Sequence, residues 1–180
     1  MPFTPYHFGP AGFISLLFRR WIDLPVFVLA NVIIDVEVLA AGPGYFPHRH
    51  WHWHSFLIAA LVGAVWGLAA YPLSPVFKRI FSFFKLDYHT TLKKTIFAGA
   101  LGACFHVLID GVYHYDVQPF WPYLKNPMYR FMNHPQVMMV CYLGWAAAIL
   151  LYGFLLLRNH RRAADKAKTS DIPTELSAKK

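Results

Sequence analysis

In the stretch FHVLIDGVYHYD, His106, Asp110 and His114 recur at every fourth residue of a segment that is otherwise almost wholly apolar up to Val112. On a continuous helix this interval lays the three side chains along one slowly drifting face. A charged or strongly polar group in such a helix costs on the order of a few kcal/mol unless it pairs, meets water or binds a cation. Two chemistries answer that demand: His106 and Asp110 hydrogen-bonded to each other as interhelical glue, or both directed at a metal ion. A second concentration follows the turn GPGYFP, where PHRHWHWHS sets His48, His50, His52 and His54 in alternation with Arg and Trp. An extended strand lines all four imidazoles on one side. A helix instead pairs His50 with His54 at the i, i+4 spacing that lets two histidines chelate one ion. Trp51 and Trp53 also fit an aromatic belt at a membrane surface, the other reading of this patch. Upstream, Asp35 and Glu37 stand near the end of NVIIDVEVLAAG, and His7 lies in the opening MPFTPYHFG. Two apart on a helix, Asp35 and Glu37 point in different directions, so one of them is expected at the site and Glu37 is expected to snorkel to the interface.

The elements that must position these groups are apolar helices. Of 180 residues, 57% are hydrophobic, 18% aromatic and only 14% charged, which fits an integral membrane protein and not a soluble domain. Ser55 to Pro75, Thr95 to Val112 and Gln136 to Leu157 each approach the roughly 20 residues that cross a hydrocarbon core. Leu24 to Ala41 is a fourth span, interrupted by Asp35 and Glu37. The apolar run Gly9 to Phe18 is too short to cross and reads as a half-helix. Met1 to Pro10 lacks Lys and Arg and no small-residue cleavage site follows, so this first helix is expected to stay. The expected fold is all-α: a polytopic membrane helical bundle of about four spanning helices plus a short N-terminal half-helix. Residues 1–158 form its membrane-embedded domain and 159–180 a basic, disordered tail. The segment with KRIFSFFK, between Pro75 and Lys94, reads as an amphipathic surface element. YHYDVQPFWPYLKNPMYRFMNHP, with its four prolines and many aromatics, reads as a semi-rigid cap on the interface.

A formal net charge of +8 does not indicate nucleic acid here, because the basic residues are sorted by loop and not gathered on one folded face. Arg19, Arg20, Lys78, Arg79, Lys85, Lys93, Lys94, Arg158 and the tail share one side. Only Arg49, Lys125 and Arg130 of the 17 basic residues fall on the other. By the positive-inside rule the N-terminus is outside and the C-terminus cytoplasmic. The same topology sends His7, Asp35, the histidine patch, His106, Asp110 and His114 to the outer side at similar depth. Imidazoles and carboxylates without thiolates suit zinc, with manganese or non-haem iron as alternatives. Cys104 and Cys141 sit in apolar segments without ligand spacing. No internal repeat, Gly-rich phosphate loop, Cys-x-x-Cys pair or serine elbow offers a competing chemistry. A site of this kind, with one metal and an open position or two metals bridged by a carboxylate, suits hydrolysis of an ester or phosphoester.

These residues resemble the inner-membrane-associated, metal-dependent hydrolases of the YdjM type. That family shows an early His, Pro-Asp-x-Asp ending an apolar helix, His-Arg-Gly-x-Thr-His-Ser opening the next, and His-x-x-x-Asp followed at a fixed distance by Trp-Pro. The counterparts here are His7, Ile34-Asp35-Val36-Glu37, His48-Arg49 with His54-Ser55, His106 with Asp110, and Trp121-Pro122. Ile34 stands for the family's Pro and Glu37 for its second Asp. HRHWHWHS is one residue longer than the family motif and lacks its Gly and Thr, which leaves open whether His48, His50 or His52 takes the first histidine's place. More distantly, the pattern is similar to the helical zinc-dependent phospholipases C and their nuclease relatives. The resemblance implies a bacterial inner membrane and ligation of zinc by imidazole and carboxylate.

The expected metal ligands are His54, His106 and Asp110, with Asp35 and His7 as further ligands. His48 or His50 would orient substrate or shuttle protons, and Arg49 would hold an anionic phosphate. The expected activity is a membrane-bound, metal-dependent hydrolase of a lipid or lipid-linked (phospho)ester at the outer face, with membrane lipids as partners and no nucleic acid. The alternative is a non-catalytic metal- or haem-binding membrane protein or a metal-ion transporter, since facing histidines also ligate haem iron and pass ions.

Overall fold

The computed structural model describes residues 4–41 and 52–170, whose regular elements are all helices, with no strand among them. In chain order they form α1 (Phe8–Leu17), α2 (Leu24–Ala41), α3 (Phe56–Ala70), α4 (Ser74–Phe83), α5 (Leu92–Gly111) and α6 (His134–Ser170). Short 3-10 turns cover Thr4–Tyr6, His52–His54 and Tyr71–Leu73. The helices start where local chemistry lets them. Ser55 accepts from the Ile58 amide (3.4 Å) to cap α3, and Thr91 from the Lys94 amide (3.3 Å) to cap α5. At the start of α2, Asp23 Oδ1 accepts from the Val26 amide (3.3 Å), and Pro25 occupies the first turn, where its missing N–H costs nothing.

Three stretches among the described residues are long and apolar enough to cross a membrane: Phe56–Phe83, Leu92–Gly111 and His134–Arg161. Four were expected. α2 is helical over the whole expected range but is not among the three. α1 is a shorter apolar helix, in keeping with a half-helix. α4 has the expected amphipathic pattern, with Phe77 buried while Lys78 and Arg79 are exposed. Polarity is distributed as lipid requires. Leu61, Val65 and Leu150 are more than 60% exposed, while Asn31, Thr95, His54 and His106 are fully buried.

The end of the chain differs from expectation. The segment from Asn159 was expected to be disordered, yet α6 runs unbroken to Ser170. NHRRAADKAKTS has no apolar periodicity, but Ala, Arg and Lys are good helix formers, and extending an existing helix avoids the cost of nucleating one. Residues 171–180 lie outside the described residues.

α5 is the hub, packed on α3 along one face and on α2 along another. Contact with α3 is backbone to backbone. A Cβ at Gly63 would strike the carbonyl oxygen of Gly99, one at Gly67 that of Thr95, and one at Gly99 that of Gly63. On the adjoining face Gly102 lies against the Phe27 carbonyl and Ala30 of α2. Small residues allow this approach, and packing in lipid depends on it because the apolar solvent supplies little drive of its own. Trp66 Nε1 ties α3 to α2 by donating to the Val26 carbonyl (3.0 Å). α1 rests mainly on α6, with Gly144 against Pro10 and Gly9 against the Cys141 carbonyl. The α3–α5 seam positions the site directly, because His106 and Asp110 continue the α5 stripe of Thr95, Gly99 and Ala103.

Candidate metal centre

His106 and Asp110 occupy the last turns of α5, and both are buried. α2 delivers Asp35 from one side. The 3-10 turn ending at His54 delivers a fully buried imidazole from the other, immediately before the Ser55 cap of α3. Ligand atoms of Asp35, His54, His106 and Asp110 all lie within 4.8 Å of one another. His106 Nε2 is 3.2 Å from Asp35 Oδ1 and 3.2 Å from Asp110 Oδ2. His54 Nε2 is 3.7 Å and 3.9 Å from the same two oxygens. Donors about 2.0 to 2.1 Å from a tetrahedral zinc are separated from each other by about 3.3 Å, so this spacing fits a single ion.

The chemistry of the donors agrees with that fit. The buried Nε2 atoms of His7 and His106 lie 3.4 and 3.2 Å from the two Asp110 oxygens. Imidazole nitrogens and carboxylate oxygens gathered about one point are the donor types of a cation site. Charge favours it too. Burial works against a charged His54, but Asp35 and Glu37 outweigh it and hold the pKa above the ordinary imidazole value.

Two further residues orient the ligands. Glu37 takes His54 Nδ1 at 3.1 Å and accepts from the Trp53 amide at 3.1 Å. This carboxylate fixes the proton on Nδ1 and turns Nε2 toward Asp35 and Asp110, the usual outer-sphere arrangement for a metal-binding histidine. The expectation that Glu37 snorkels away is thus corrected. It does point away from Asp35 around α2, but that direction meets the returning His52–His54 turn. His7 Nδ1 lies 3.2 Å from His106 Nδ1, and its Nε2 lies 3.4 Å from Asp110 Oδ1. With a cation on His106 Nε2, the proton left on its Nδ1 would face His7 Nδ1. Burial pushes the His7 pKa down to about 4 despite Asp110, which keeps that ring neutral. His7 was expected among the ligands, and the structure sets it against two of the four, outside their cluster.

α5 ends at Gly111, and beyond it the His114 amide still bonds the Asp110 carbonyl (2.7 Å), while His114 is not one of the four residues grouped around the site. The segment after it packs on the neighbouring ends of α5 and α3. Asn126 Nδ2 donates to the Gly111 carbonyl (2.8 Å), the Phe56 amide to the Pro119 carbonyl (2.8 Å), and Trp121 packs edge-on against His52. His48, Arg49 and His50 lie outside the described residues.

The chain is thus a helical protein with membrane-length helices and a buried group of two carboxylates and two imidazoles that could hold a metal ion. No family model matches it, and neither a curated protein nor a solved structure was found to be similar. Its chemistry is read from its own atoms.

Glu37→Gln gives the first expected result. The amide keeps the shape but loses the charge, so metal affinity falls by about 10- to 100-fold, measured by competition with a chromophoric chelator. An unchanged affinity would exclude the orienting role.

Proposed function

We propose that this protein is a membrane-bound, metal-dependent hydrolase acting on a lipid or lipid-linked phosphoester. The observation that carries the reading is the buried convergence of Asp35, His54, His106 and Asp110 from three separate parts of the chain. Two imidazoles and two carboxylates suit zinc, with manganese or iron next. An ion held there supplies Lewis acidity, which activates water near neutral pH and polarises a phosphoryl oxygen. The protein's own groups do the rest. His54 and His106 bind through Nε2, Glu37 and His7 hold their opposite nitrogens, Arg49 recognises phosphate charge, and His48 or His50 moves a proton. The sorting of basic residues supports placing this end of the bundle at the outer face of a bacterial inner membrane, with α2 as a fourth crossing and the C-terminus inside. A lipid headgroup is the substrate that such a position meets.

The second reading is metal binding without turnover. Haem fits poorly, because the His54 and His106 rings lie edge to face at 5.4 Å with carboxylates beside them, an arrangement for one ion and not for a macrocycle. Transport fits poorly as well. A path along α5 would cross the seam where Gly63, Gly67 and Gly99 pack on neighbouring backbone. The test is phosphate release by the detergent-solubilised protein from short-chain phosphatidic acids and lipid pyrophosphates. Release that a chelator abolishes and zinc restores is expected. Stoichiometric metal with no release from any substrate would replace the hydrolase with the second reading.

A further inference from the structure

At the end of the bundle away from Asp110, the α1–α2 turn, the α4–α5 loop and the first turn of α5 border an open cavity of about 780 Å³. Arg19, Arg20, Lys93 and Lys94 line it, with Asp87 as its one carboxylate. Trp21 and Phe97 complete the lining and are 65% and 53% exposed, so the cavity opens on the apolar flank of the bundle. At 1.5 Å per residue, Leu92 and Asp110 are about 27 Å apart along α5, which separates this cavity from the metal group.

Its walls are built. Lys94 Nζ donates to the Arg19 carbonyl (2.8 Å) and to the His89 carbonyl (2.9 Å), clamping one loop to the other. Behind them Tyr88 donates to Asp23 Oδ2 (2.8 Å), whose other oxygen caps α2. The N-terminus of the 20-residue α5 opens toward the same space and adds partial positive charge. Basic residues that served only to orient the chain would project singly from helix ends into water. Here they come from separate segments onto one concavity with an aromatic rim.

We propose that this cavity binds the phosphate headgroup of an anionic phospholipid from the adjoining leaflet. The cations meet the phosphate, Trp21 sits at headgroup depth, Phe97 meets the acyl chain, and the volume lies within the roughly 300 to 1,000 Å³ of ordinary ligand sites. Such a lipid is a resident ligand and not the substrate of the distant metal group, so the inference does not depend on the proposed hydrolysis.

The test titrates the purified protein in neutral detergent with phosphatidylglycerol, phosphatidylcholine or inorganic phosphate, reading retention by native mass spectrometry and the shift in melting temperature. Arg20→Gln/Lys93→Gln is compared with Lys78→Gln/Arg79→Gln, which removes the same charge from α4. All four side chains are exposed, and each variant is first checked for an unchanged melt without lipid, Arg20→Gln alone replacing the pair if it fails. Phosphatidylglycerol is expected to bind and phosphatidylcholine not, with roughly tenfold weaker binding in the cavity variant and wild-type binding in the α4 variant. Equal weakening in both variants, or equal binding of phosphatidylcholine, would overturn the site. Inorganic phosphate stabilising as well as phosphatidylglycerol would overturn the lipid as its source.

Discussion

Asp110→Ala is expected to strip the purified protein of bound metal, to less than about a tenth of wild-type occupancy, and His106→Ala to do the same. Asp110 is the carboxylate with the most imidazoles around it. Its Oδ2 approaches His106 and His54, while its Oδ1 approaches His7. Without it three buried rings crowd one point with Asp35 as the remaining carboxylate of the four-residue group. Removing one partner from a buried charged cluster also costs stability, about 3 to 5 kcal/mol. Asp110→Asn therefore accompanies the alanine variant, since it keeps the side-chain volume while removing the charge. Elemental analysis in detergent provides the measurement, with the exposed Asp87→Ala as a control that retains its metal. Wild-type metal content in both Asp110→Ala and His106→Ala would remove the assignment.

Gly99→Leu carries the second large effect. The collision with the Gly63 carbonyl is made by the Cβ itself, so no rotamer relieves it and α3 must move off α5. Overpacking a tight interface costs about 1 to 3 kcal/mol where side chains can adjust, and here the obstacle is backbone. A loss at the top of that range or beyond is expected, seen as a lost or sharply lowered thermal transition. Metal is expected to go with it, because His54 and His106 ride on the two helices that part. Gly153→Leu, where a Cβ meets nothing within 4 Å, is expected to change stability by less than about 0.5 kcal/mol. A Gly99→Leu protein that melts like the wild type would show that these helices do not pack as described.

What could be read in advance follows from how local the cause is. His106 and Asp110 are legible because four residues is nearly one helical turn, and polar groups so spaced in an apolar helix share a face. Asp35 is legible from its depth in α2. Glu37 is not, because its value depends on where the chain returns after α2, and no periodicity encodes that. His7 could be assigned to the right end of the bundle, but its contact with His106 rests on how α1 docks against α6 and α2. The α3–α5 seam did leave a signal, Gly63-Ala64-Val65-Trp66-Gly67, two glycines four apart in an apolar helix. Its partner face of Thr95, Gly99 and Ala103 becomes evident only once the two helices are side by side.

The pairing of α1 with α6 bears on biogenesis. Ribosomes deliver a chain from one end, so α2, α3 and α5 can gather Asp35, His54, His106 and Asp110 while the last helix is still unmade. α1, whose largest contact is with α6, has to wait with its docking face unclaimed until synthesis is nearly over. Until then only α2 holds α1 in place, so the His7 prop on His106 gains its full support last.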